Sequence, residues 1–343
     1  MRLARRFSIA RAALAGLAML AAALLPGAVA AKCGGTDLMA ALAREDPAAH
    51  GRILARAAEV PNGEGLFWRV VAPGGAVSHL YGTLHSTEAA ARWLPGPAIS
   101  ALGDARLVMV ELTPEEQQRL ERRISSDPRF AVDMEGPGLS ERLAPEDLVQ
   151  AEAVLAERGM SMSVAEKLKP WLLISTISVP LCEKAELAKG KRLLDDAIAA
   201  EARVWGIPLR GLESYEETFA AFDELSDAEL TGLLVDGLAS SADEEDLRRT
   251  LETLYAEGRI AAILEFNIWH ASRHGRSDNP RAAAEALTRA LIFGRNHNWM
   301  RRLRPELDRG AVFAAFGALH LPGSEGIVAL LRRAGYRVER LDR

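Results

Sequence analysis

The tetrapeptide Gly82-Thr83-Leu84-His85, which closes the apolar run Ser78-His79-Leu80-Tyr81, returns as Gly317-Ala318-Leu319-His320 after Ala311-Val312-Phe313-Ala314-Ala315-Phe316. Short apolar runs of this kind read as buried strands, and an imidazole placed where such a run stops falls at the rim of a sheet. The rim at the strand carboxyl ends is where open α/β sheets carry their sites. Each Gly, having no Cβ, leaves room there for backbone or ligand to come close. One Gly-x-x-His is a weak pattern; two copies in matching contexts are a stronger one.

Both copies lead into similar segments. After His85 come a loop, a helical stretch and the strand Ala105-Arg106-Leu107-Val108-Met109-Val110, which stops at Glu111. After His320 come Leu-Pro-Gly-Ser, a helix over 325–336 and a last strand, Arg337-Val338-Glu339-Arg340-Leu341. Both read as β-loop-α-β, and crossovers of one hand put the carboxyl ends of parallel strands on one edge. His85, Glu111 and His320 are therefore expected to converge, although 235 positions separate the histidines. The expected fold class is α/β, with a central, mostly parallel sheet built from N- and C-terminal β-loop-α-β units.

Between these ends, apolar residues at spacings of three and four predict helices over Ser140–Gly159, Ser161–Ser178, Lys191–Trp205 and in four acidic runs from Glu216 to Leu303. One short strand, Ile207-Pro208-Leu209-Arg210-Gly211-Leu212, interrupts them and ends at Glu213, a fourth rim candidate. No Pro/Gly/Ser-rich linker divides the chain. The expected organisation is a signal peptide at 1–30 and a single domain over 31–343, with a large helical insertion at about 140–310.

The signal-peptide reading rests on Arg2, Arg5, Arg6 and Arg11 ahead of an Ala/Leu-rich stretch from about Ala12 to Leu25, then Pro26, Gly27 and Ala28-Val29-Ala30. Cleavage near Ala30 or Ala31 would leave a periplasmic or secreted bacterial protein. An uncleaved anchor would need a longer apolar run, of roughly 20 residues. The mature chain carries 38 basic and 47 acidic side chains, a net charge of −9. That balance gives no reason to expect nucleic acid or an anionic membrane as partner. Cys33 and Cys182 are the only cysteines, and in an oxidising compartment the pair is expected to form a disulfide.

Two imidazoles with carboxylates can hold a divalent ion that acidifies bound water. The residue types at His85, His320 and Glu111, with Glu213 beside them, suit such a centre; alternatively, both histidines are structural groups bonded to backbone at sheet ends. Arg295 and Asn296, within Leu291–Leu303, could clamp a carboxylate or a developing oxyanion, or belong to a solvated helix face. His270 and His274 stand at i, i+4, which is metal-ligand spacing. The glutamate of a protease helix is missing between them, and Gly275-Arg276 comes directly after, so the pair reads as cations near a helix C-terminus. His50, His79 and His297 carry no partner signal. The chain also lacks a Gly-x-Ser-x-Gly elbow, a phosphate-cradling loop and a dinucleotide fingerprint.

The two Gly-x-x-His motifs, Glu111, the segment Leu193–Ser214, Arg295-Asn296 and the closing Gly317–Leu341 together resemble the TraB/GumN family, which includes the Tiki metalloproteases. The resemblance runs from about Gly65 to Leu341, and the family is similar in turn to erythromycin-esterase and ChaN-like α/β proteins. Gly294 departs from the acidic residue that many relatives carry before Arg-Asn. The resemblance implies an exported metal-dependent hydrolase acting on a peptide or protein substrate. His85, His320 and Glu111 would bind a Mn, Co or Zn ion, with Glu111 also a candidate base. Arg295 and Asn296 would act on the substrate, and Ser324 would add an anion-binding donor. The alternatives are a metal-dependent esterase or phosphoesterase, and a non-catalytic periplasmic binding or envelope-polysaccharide assembly factor.

Overall fold

The computed structural model describes residues 33–342, apart from the side chains of Ala89 and Ala90. The expected signal peptide and its cleavage position lie outside these residues. A six-stranded sheet organises the rest: β1 (Phe67–Val71), β2 (Val77–Thr83), β3 (Leu107–Val110), β4 (Leu209–Gly211), β5 (Val312–Gly317) and β6 (Arg337–Arg340). Their order across the sheet is β4-β3-β5-β2-β1-β6.

The sheet is α/β and mostly parallel, as expected, with one departure. β2 and β3 each pair in parallel with β5, and β4 pairs in parallel with β3. β1, a strand not picked out in the sequence, forms an antiparallel hairpin with β2 and separates it from β6. The two strands of each β-loop-α-β unit are therefore never hydrogen-bonded neighbours: β5 enters between β2 and β3, while β2 and β1 lie between β5 and β6. All strands but β1 still run the same way, so the carboxyl ends of β2 to β5 share one rim.

Alternation along the strands fills two faces, as strands buried on both sides require. Phe67, Tyr81, Val108, Val110, Phe313 and Ala315 pack on one face against Leu102, Ile198, Leu254, Tyr255 and Phe266 from the surrounding helices. Trp68, Leu80, Met109, Ala314 and Phe316 pack on the other against Trp299, Leu303 and Leu331. Two more apolar clusters lie within the helical region. One centres on Trp171, Phe219 and Phe222, the other on Leu155, Leu173 and Leu234.

Helices occupy that region broadly where periodicity predicts them, at Pro145–Glu157, Leu194–Val204, Asp227–Ala239, Glu244–Ala256, Ile260–His274 and Arg295–Arg309. The stretch 161–178 splits into Met162–Ala165 and Pro170–Ile177. Proline has no N–H and tolerates only the first turn of a helix, so Pro170 begins a new one. Cys33 and Cys182 are joined in a disulfide that ties the start of the described chain to the helix Leu181–Ala188. No helix among the described residues is long and apolar enough to cross a membrane.

Candidate active site at the carboxyl rim of the sheet

Strand register sets the site. Thr83 lies opposite Gly317 and Val110 opposite Ala315, so Glu111 leaves β3 at the level where β5 ends. The ladder continues briefly beyond β4, with the Leu212 N–H donating to Val110 O and the Glu213 N–H to Glu111 O, which brings Glu213 alongside. Both motif glycines are explained by close approach. A Cβ on Gly82 would stand 2.7 Å from Leu321 Cδ1 and 3.0 Å from Ala318 Cα, so one Gly-x-Leu-His turn packs on the other. A Cβ on Gly317 would stand 3.2 Å from Glu111 Oε1.

Glu111 is buried and fully engaged. Its Oε1 accepts the Gly317 N–H at 2.6 Å and its Oε2 accepts from Arg295 Nη2 at 2.7 Å. Burial alone would raise its pKa, but Arg295 foremost, then His320, His85 and the Gly317 N–H, reverse that and hold it at about 2. A carboxylate that acidic is a poor proton acceptor at neutral pH. It stands on the rim as an ionised carboxylate.

Arg295 and Asn296, read from sequence as groups acting on substrate, are committed elsewhere. The Arg295 guanidinium donates to Glu111, to both oxygens of Glu213 and to Leu291 O, and it lies over the Trp299 ring at 4.8 Å. Burial would lower its pKa, yet Glu111 and Glu213 raise it, so the cation is locked. Glu213 in turn accepts from Trp299 Nε1 at 2.8 Å and Thr218 Oγ1 at 2.8 Å, which leaves its carboxylate saturated by protein donors. These bonds fix the orientation of the guanidinium and of both carboxylates. A π-helical turn, Arg289–Gly294, directly precedes Arg295; such bulges gather at functional sites.

Asn296 is wholly buried and fixes the other motif histidine. Its Nδ2 donates to His320 O at 3.3 Å and Glu325 O at 2.8 Å, so the atom facing the ring is Oδ1, 2.6 Å from His320 Nδ1. The ring therefore donates from Nδ1 and keeps its lone pair on Nε2. His320 stacks on Trp299 with ring centres 4.2 Å apart. Burial first, then Arg295 and His85, bring its pKa down to about 3 against the opposing pull of Glu111, so the imidazole is neutral at neutral pH.

This makes a testable pH dependence. Unfolded imidazole titrates near 6.5, so between that value and about 3 the folded state binds fewer protons here than the unfolded state does. The stabilisation is complete above pH 6.5 and is lost as pH falls toward 3. In urea unfolding at stepped pH, the stability gap between wild type and His320→Gln should shrink by about 1.4 kcal/mol per unit across that window. The difference is the readout because Asp196, raised to about 6 by burial first and Asp195 second, pushes the whole-protein profile the opposite way.

His85 is the exposed member of the site. Its Nδ1 lies 3.6 Å from Asp195 Oδ2, on the first turn of the helix Leu194–Val204. Thr83 Oγ1 donates to the other oxygen, Asp195 Oδ1, at 2.9 Å. Asp195 Oδ2 is itself buried and has no hydrogen-bond partner. Burial raises the Asp195 pKa, as does Glu111, while His85 lowers it. Sequence reading missed Asp195 and Asp196, because acids in a first helical turn are favoured by the dipole and carry no separate signal.

The loop after His85 is anchored behind the site. Ser86 Oγ donates to Glu183 at 2.9 Å and also bonds Glu252, while the Thr87 N–H donates to Glu183 Oε2 at 3.0 Å. Ser324 is exposed and lines, with Leu319, Pro322 and Phe293, a cleft of about 530 Å³ beside the His320 turn. No hydrogen bond joins its side chain to the groups of the rim, although the next residue, Glu325, accepts from Asn296 Nδ2.

The rim holds side chains of the types that ligate a divalent cation. The site offers an orphaned buried carboxylate oxygen, an exposed imidazole 3.6 Å from it, a second imidazole held neutral and an ionised carboxylate. The four do not form a tight triad: among the described residues, three such ligand atoms lie within 4.8 Å of one another only at Asp243, His270 and His274.

No curated protein matches the chain. The model of the TraB/PrgY/gumN family matches residues 66–340, a span that includes both Gly-x-Leu-His turns, Glu111, Asp195, Glu213 and Arg295-Asn296. The chain thus belongs to the TraB/PrgY/gumN family.

Proposed function

We propose that the protein is an exported hydrolase that uses a divalent ion, Mn, Co or Zn, to cleave peptide bonds, and that residues 31–343 act as one domain with its helical insertion at about 140–310. The reading is carried by the orphaned Asp195 oxygen opposite His85, on the rim that also holds ionised Glu111 and neutral His320. Export is supported by the Cys33–Cys182 disulfide, which an oxidising compartment maintains.

His85 Nδ1 and Asp195 Oδ2, 3.6 Å apart, would meet the ion first, and His320 Nε2 would join them only if the rim closed up around it, with Glu111 supplying charge. A bound divalent ion acidifies water and polarises a carbonyl. Asp196, with a pKa near 6, is the carboxyl group best matched to hold a proton near neutral pH, and it lies beside Asp195 in the same helical turn. Arg295, itself held by Glu213, keeps Glu111 charged at the rim. Asn296 keeps the His320 lone pair on Nε2. Positions on the substrate side are left to His85 and the open cleft beside Ser324.

The test is a peptide library incubated with purified protein and added Mn²⁺, Co²⁺ or Zn²⁺. Cleavage is expected, to be abolished by chelator, restored by one of the ions, and reduced on the order of 10²–10⁴-fold by Asp196→Asn. Elemental analysis should show ion content falling in His85→Ala and His320→Ala. A library left intact with all three ions removes the peptidase reading.

A further inference from the structure

The helix Ile260–His274 ends in a second constellation that shares no residue with the rim. His270 and His274, one turn apart, stack with ring centres 4.5 Å apart, and Asp243 reaches them from the three-residue-per-turn segment Ser240–Asp243. One ligand atom from each of the three lies within 4.8 Å of the others. His270 is only 4% exposed, and its Nε2 has no hydrogen-bond partner. A buried ring nitrogen left in that state costs roughly 1–3 kcal/mol unless something outside the chain satisfies it.

Geometry says what that would be. The Nε2 to Asp243 Oδ2 separation is 3.6 Å, too long for a hydrogen bond. It matches the edge of a tetrahedron around zinc, about 3.3–3.6 Å for zinc–ligand bonds of roughly 2.0–2.2 Å. His274 is exposed and Asp243 half-exposed, so a fourth position faces solvent.

We propose that Asp243, His270 and His274 form a binding site for a borderline divalent ion of the zinc type, coordinated by two imidazoles and one carboxylate with a fourth position open to water. Two imidazoles and one oxygen select zinc-like ions over magnesium or calcium. The ion would clamp the end of the helix Ile260–His274 to the start of Glu244–Ala256. That second helix holds the first described residues: Glu245 accepts the Gly34 N–H, Asp246 accepts the Thr36 N–H, and Arg248 donates to Gly34 O. The site thus reinforces the junction that the Cys33–Cys182 disulfide also secures.

The experiment is a Zn²⁺ titration of the full protein, followed by metal content after gel filtration and by thermal melting, on wild type, His274→Ala, Asp243→Asn and His85→Ala. Both ligand substitutions are on the surface, so folding is not at issue. Wild type should carry one more zinc than His274→Ala or Asp243→Asn, and at a hundredfold excess over the dissociation constant zinc should raise its melting temperature by about 3–8 °C. His85→Ala should keep that increment, which separates this site from the rim. Equal zinc content and equal shift in wild type and both ligand variants would overturn the proposal, as would a wild-type melting temperature unmoved by zinc.

Discussion

Replacing Arg295 with methionine is expected to destabilise the protein by about 3–5 kcal/mol, the loss typical when one partner is taken from a buried ionic group. The guanidinium is the shared counter-charge of Glu111 and Glu213, all three being at least 93% buried. Without it, two carboxylates remain in an apolar setting, and each can relieve the strain only by taking up a proton. Glu111 loses its largest stabilising influence and its pKa must rise. Urea unfolding at pH 7 measures the loss. The triple variant Glu111→Gln/Glu213→Gln/Arg295→Met tests the cause, because removing all the charges together should recover most of the stability. If Arg295→Met costs under about 1 kcal/mol, or the triple variant recovers nothing, the charge balance described at the rim is wrong.

The same triad shows which parts of the site sequence could reveal. Strand ends were legible, because short apolar runs stop visibly, and so the rim positions of Glu111, Glu213 and the two Gly-x-Leu-His turns could be read directly. Strand order was not. That β5 lies between β2 and β3, and that β1 screens β2 from β6, depends on pairings between segments far apart in the chain. Burial was also hidden. Arg295 and Asn296 sit in a helix whose apolar positions leave their side uncertain, and only tertiary contacts show them buried and bonded to Glu111 and His320. Asp195 gave no signal of its own, since a pair of acids opening a helix is ordinary capping chemistry. His270 and His274 did give their spacing, but Asp243, the residue that completes the group, comes from a different element.

Removing the disulfide, as Cys33→Ser/Cys182→Ser, is expected to have the other large effect. It closes a loop of sequence separation 149, and chain-entropy reasoning for a loop of that size gives about 5 kcal/mol, with roughly 2–4 kcal/mol more usual in practice. The consequence should not stay local. Cys182 directly precedes Glu183, which accepts from Ser86 Oγ and the Thr87 N–H and so anchors the segment that carries His85. On the opposite side, Cys33 precedes Gly34, whose carbonyl accepts from Arg248, and Arg248 pairs with Glu252 behind the same Ser86. Reduction or substitution therefore loosens both halves of one buried polar network. Hydrogen exchange should show faster opening of residues 84–88 in the double variant, while amides of β3 and β5 stay protected. Unchanged exchange at 84–88 alongside a clear drop in global stability would mean that the bridge acts only on the unfolded chain and does not hold the His85 loop.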